Sequence, residues 1–95
     1  MIVNIENIPS TIRYFGRSEF FMLFLICKYC KEKQVNDIDS RWMRDYFKDN
    51  GLYLATSTIV EKCNYFSYNG FLIKNAPYKF SVNPSIITLQ FHNYE

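Results

Sequence analysis

The chain has 95 residues, a formal net charge of +2 and an apolar share of 48%, with aromatic residues making up 19% of the whole. That length fits one small core and excludes a second domain. The nine Phe, eight Tyr and single Trp argue against disorder, which needs few aromatics and a larger charge imbalance. Lys and Arg are scattered without a run of four, so a basic nucleic-acid-binding arm is excluded.

In chain order, residues 1–9 alternate with Val3 and Ile5 on one face and end at Pro9, which predicts a short edge strand. Residues 10–17 form a turn or loop broken by Gly16. Ser18 is the expected cap of a first helix over 18–33, with Glu19 in its first turn and Lys28, Lys31 and Lys33 toward its end. Its apolar run, residues 20–27, is too short to span a bilayer and predicts burial on several sides. Asp39 or Ser40 caps a second helix over 41–50, stopped by Gly51. Trp42, Met43, Tyr46 and Phe47 are its expected inward face; Arg41, Arg44, Asp45 and Lys48 are left outside.

After the apolar bridge Leu52-Tyr53-Leu54, one of Thr56, Ser57 or Thr58 caps a third helix over 56–69. Ile59, Cys63 and Phe66 form its core row, and Ser57, Glu61, Asn64, Tyr65 and Tyr68 point the other way. Gly70 ends the helix. Strands over 71–74 and 78–82 follow, joined by the turn Asn75-Ala76-Pro77 and ended by Asn83-Pro84. Alternating Ile87, Leu89 and Phe91 predict a last strand, which closes the same small sheet or pairs with a second copy; the first is preferred. The class is α+β, with three helices and a small antiparallel sheet.

The residues that carry chemistry are sparse. Cys27-Lys28-Tyr29-Cys30 has metal or redox spacing, but a structural zinc site needs four ligands and only Cys63 and His92 remain, each alone. Redox pairs of this spacing open a helix after a strand, whereas this one lies late in an apolar helix. His92 is the only histidine and sits near the end of the chain. Asp37-Ile38-Asp39 reads as a polar approach to a helix cap. Three glycines leave no phosphate-cradling loop. No catalysis, no metal and no cofactor are therefore expected. The segment MIVNIENIPS lacks the charged-then-apolar order of a secretory leader, so a cytoplasmic, membrane-free protein with reduced cysteines is expected.

Ser57-Thr58-Ile59, Cys63, Phe66, Gly70 and Leu72 resemble the winged helix-turn-helix superfamily: a helix start, three core positions, a helix-ending glycine and the first wing strand. Tyr78-Lys79-Phe80-Ser81-Val82-Asn83-Pro84 is similar to the wing end of some plasmid replication and copy-control proteins, and the resemblance covers roughly residues 18–84. It implies a non-catalytic binder of double-stranded DNA in transcriptional, plasmid or viral replication control. Within that expectation the third helix enters the major groove, Asn64 pairing with adenine and Glu61 accepting from cytosine. Ser57 and Thr58 hold a phosphate at the helix start. Tyr65 and Tyr68 stack on bases or sugars, or meet a partner. Lys74, Asn75 and Lys79 form a phosphate-gripping wing tip, and Arg41 and Arg44 cross the backbone. A homodimer is expected, since one module touches few base pairs. The modest charge, Glu61 and the surplus tyrosines equally suit a protein-interaction module on the same scaffold.

Overall fold

A computed structural model of the chain describes residues 2–5 and 15–90. The expected end of the first strand at Pro9, the loop over 10–14, and the sites at Phe91 and His92 lie outside the described residues.

The first helix, α1 (Arg17–Lys33), begins two residues earlier than a cap at Ser18 predicts. Gly16 takes the cap position in extended conformation, and its carbonyl accepts from the Phe20 N–H at 3.2 Å. Ser18 lies inside the first turn, its hydroxyl donating to Glu19 Oε2 at 2.7 Å. Met22, Leu23, Leu25, Ile26, Cys27 and Cys30 are buried, while Phe20, Phe21 and Phe24 stay more than a third exposed. The all-round apolar start is thus buried on one side only. Gln34 closes the helix in the left-handed region, φ 53°.

Asp37–Asp39 is a strand, β2, a stretch that the sequence assigns only to a cap approach. It does both jobs: Ile38 is buried against the core, and the Asp39 carboxylate accepts from the Arg41 N–H at 3.0 Å. The expected single helix over 41–50 is divided. A 3-10 turn, Ser40–Trp42, comes first, Met43 interrupts it, and α2 occupies Arg44–Asp49. Residues advance by a third of a turn in a 3-10 segment, so a spacing read at 3.6 residues per turn fails there. Met43 and Phe47 stay buried one helical turn apart, but Trp42 is rotated outward and is 75% exposed. Gly51, at φ 89°, turns the chain out of α2 as expected.

The third helix, α3, runs Thr56–Tyr68 with Ala55 at its cap position and no side-chain capping bond. Its first turn is therefore open, because Thr56, Ser57 and Thr58 all lie past the cap. Ile59, Cys63 and Phe66 have no solvent exposure. Gly70, at φ 82°, ends the element, and the Asn83 amide donates to its carbonyl at 2.7 Å, tying the helix end to the strands that follow.

Those strands, β3 (Leu72–Ala76) and β4 (Lys79–Val82), pair antiparallel with a register shift between Lys74 and Ala76. The turn between them falls at Pro77-Tyr78, later than the Asn75-Ala76-Pro77 expectation, because β3 runs on through the irregularity. The sheet order is β2-β4-β3. Its third strand is thus β2 and not the C-terminal one. The last strand, β5 (Ile87–Gln90), instead pairs antiparallel with β1 (Ile2–Ile5) in a separate two-stranded sheet of the same chain.

Leu72, Phe80, Ile86 and Ile87 join the α1, α2 and α3 residues in one core. Phe66 is fully buried in it, with the Phe15 ring 5.5 Å away. Truncating it leaves a void that rigid aromatic neighbours fill poorly. Phe66→Ala is expected to cost about 3–5 kcal/mol, read as a lowered urea midpoint with little change in slope.

Candidate nucleic-acid interface

Burial of Ile59, Cys63 and Phe66 leaves α3 a single outward stripe: Ser57, Glu61, Asn64 and Tyr68, spaced by four, three and four residues. Ser57, Glu61 and Tyr68 are exposed, Tyr68 to 88%, and Asn64 is half-buried. Two expected members fall off the stripe. Tyr65 is half-buried with its ring 5.6 Å from Phe15, so it packs on the core and is not a free stacking surface. Thr58 is half-buried beside Ile59.

Each end of the stripe opens on a groove. At the N-terminal end, Arg44 and Lys48 of α2 face Tyr53, Leu54, Ala55, Thr56 and Ser57 across about 680 Å³. The first helical bond here is from the Ile59 N–H to the Ala55 carbonyl, 3.0 Å, so the N–H groups of the preceding turn, whose residues Thr56 and Ser57 line that space, have no intrahelical partners. Arg44 and Lys48 are both exposed and one turn apart on α2. At the other end, a groove of about 480 Å³ lies between α3 and β3, lined by Glu61, Lys62, Asn64, Tyr65, Tyr68 and Lys74.

Lys74 joins the hairpin to the outward stripe of the helix. Lys74 stands opposite Phe80 in the register, the latter buried in the core, so its side chain leans to the α3 side. The Lys74 ammonium donates to Asn64 Oδ1 at 2.9 Å and lies 6.0 Å from the Phe80 ring centroid. Lys79 is the neighbour of Phe80 and therefore leaves the opposite face of the ribbon. There it pairs with Asp39 at 3.5 Å. Asn75 also turns to that face, its amide donating to Ser81 Oγ at 3.2 Å. The three residues expected at a wing tip are thus split between two sides of the hairpin.

Arg41 belongs to the Lys79 side. Its Nε and Nη2 donate to the two oxygens of Asp39 at 3.1 and 2.8 Å. Its guanidinium stacks 4.6 Å from the Tyr78 ring and 5.7 Å from that of Trp42. These hydrogen bonds from Arg41, together with the attraction of Lys79, hold the Asp39 carboxyl well below the usual carboxylate range. Arg41, Asn75 and Lys79 accordingly lie outside both grooves along α3.

Ser57, Glu61, Asn64, Tyr68, Arg44 and Lys74 are brought together, and the structure adds Lys48, Lys62 and Tyr53. Lys48 was visible as the i+4 partner of Arg44. Tyr53 was hidden inside an apolar-looking bridge. Lys62, at the margin of the stripe, pairs with Glu19 of α1 at 3.5 Å. Glu61 has no hydrogen bond or ion pair among the described residues.

The cysteines are set apart from this surface. Cys27, Cys30 and Cys63 are buried and free, and desolvation pushes their thiols up to about 12, 11 and 12. Among the described residues no group of three His, Cys, Asp or Glu side chains is placed to hold a metal ion. No helix among them is long and apolar enough to cross a membrane. Comparison with family models, curated proteins and solved structures gives no match to the chain.

Two outcomes follow from these electrostatics. All three thiols are expected to resist a maleimide or disulfide reagent in the native protein and to react together once urea unfolds it, since only the thiolate attacks. Because Asp39 is depressed, its contribution is complete above its ordinary value of 3.8 and is lost as pH falls below that value. Asp39→Asn keeps a capping oxygen but removes the charge. It is expected to cost about 1 kcal/mol near neutral pH and to flatten the acid side of the stability curve, as measured by urea midpoints from about pH 6 to pH 3.

Proposed function

We propose that this chain is a non-catalytic binding domain for double-stranded DNA, of winged helix-turn-helix type, acting in transcriptional, plasmid or viral replication control. The observation that carries this reading is the placement of Arg44 and Lys48 at the N-terminal end of one exposed helical stripe and of Lys62 and Lys74 along the rest of it. From Ser57 to Tyr68 the helix rises about 16 Å at 1.5 Å per residue, slightly more than the roughly 12 Å width of a major groove. A helix seated there meets a phosphate chain at each end. Arg44, Lys48 and the open first turn of α3 serve one backbone, and Lys62 serves the other. The α2–α3 pair and the hairpin returning to α3 support the winged-helix assignment. A homodimer follows from the small number of base edges that one stripe reaches.

One observation favours a second reading. Trp42 and Tyr78 are exposed rings bridged by the Arg41 guanidinium, outside both grooves along α3, and they are of the residue types that dominate protein interfaces. A protein partner docking there is compatible with DNA on α3, or replaces it if the stripe binds nothing.

Salt titration of duplex binding separates the two. Three phosphate contacts, from Arg44, Lys48 and Lys62, give a slope of log K against log salt of about −3. Lys48→Ala is expected to make that slope shallower by about 1, while Lys79→Ala, on the other side of the ribbon, leaves it unchanged. Undetectable or salt-insensitive binding would refute the DNA reading and leave the interaction module.

A further inference from the structure

We propose that the junction of α3 and β3 reads a G·C base pair, Asn64 and Lys74 donating to the guanine edge and Glu61 accepting from cytosine. The inference rests on the duplex-binding role proposed above and adds the base identity.

The orientation of one amide decides which base is read. An ammonium group has three donors and no acceptor. The Asn64 atom that faces Lys74 at 2.9 Å is therefore its carbonyl oxygen, and its NH2 group is turned to the other side. Recognition of adenine by asparagine uses both ends of the amide, the oxygen accepting from N6 and the nitrogen donating to N7. Here the oxygen is engaged, and a positive charge stands beside it. An adenine amino group brought to that point meets another donor. Guanine instead presents two acceptors, O6 and N7, to the two donors that Asn64 and Lys74 offer.

Lys74 is a positioned group. The β3–β4 register sets it opposite Phe80, and its ammonium lies 6.0 Å from the centre of that ring. The acceptor is supplied one turn earlier on the helix. Glu61 precedes Asn64 by three residues, a spacing that puts their β-carbons about 5–6 Å apart. Its carboxylate is exposed, lines the same groove and has no hydrogen bond or ion pair among the described residues. An ionised carboxylate only accepts, and the matching donor on a major-groove edge is the N4 amino group of cytosine, which lies beside guanine O6 in the same pair. A carboxylate facing DNA repels phosphates, so it weakens indiscriminate binding while rewarding one base pair.

The test is selection from a duplex library with a randomised central segment by the full chain, with the retained pool sequenced. The wild-type protein is expected to enrich one G·C position over A·T by on the order of tenfold or more, the size of a good bidentate contact. Lys74→Met keeps the stem over Phe80 but frees Asn64, and is expected to shift that position from guanine toward adenine. Glu61→Gln is expected to relax the cytosine requirement of the same pair. Unchanged circular dichroism and urea midpoints establish that both variants fold. A retained pool without a preferred guanine, or a Lys74→Met pool that keeps it, overturns the base assignment while duplex binding stands. A protein that retains no duplex at any salt concentration overturns both.

Discussion

The constraint on which the rest of this molecule depends is the burial of three side chains one turn apart, Ile59, Cys63 and Phe66, none of which reaches solvent. Their packing sets the rotation of α3, and a helix has no other degree of freedom that decides what it shows to a ligand. With that row fixed inward, Ser57, Glu61, Asn64 and Tyr68 must point out. The same core receives Leu72 and Phe80 from the hairpin. The parity of the ribbon is thereby fixed too, and with it the side on which each lysine emerges.

That parity sends Lys74 and Lys79 into two different groups of positive charge. Arg44, Lys48, Lys62 and Lys74 border the grooves along α3, whereas Arg41 and Lys79 converge on the single carboxylate of Asp39. A strand alternates its faces at every residue, so two lysines near one hairpin tip need not act together. Asp39 also caps the 3-10 turn, which makes its cluster a fixed structural element with little positive field left to offer a distant anion.

Strong periodicity was legible in the sequence, and weak or mixed periodicity was not. The core row of α3, the glycines at 51 and 70, the hairpin, and Met43 with Phe47 all follow from spacing and from residues that tolerate positive φ. The strand at Asp37–Asp39 was hidden because three residues with one apolar side chain carry no alternation to detect. Trp42 was misplaced because a 3-10 turn changes the angle per residue without leaving a mark in composition. The sheet partners of β2 and β5 depend on contacts between distant parts of the chain, which no local pattern encodes. For the candidate site, residue types were readable and their grouping was not: sequence neighbours Lys79 and Lys74 are parted, while Arg44 and Ser57 are joined.

The hairpin turn is held in a way that bears on how the domain meets anything. Tyr78 sits in the left-handed region at φ 68°, and its carbonyl accepts from the Ser40 backbone N–H at 2.8 Å. A residue with a bulky side chain occupies that region only when its surroundings insist on it. The tip is thus clamped to the start of the 3-10 turn, and Lys74 clamps the stem to α3. A hairpin held at both heights has its shape set within the fold. Whatever docks on it meets backbone that is already ordered, which keeps the entropy cost of association small.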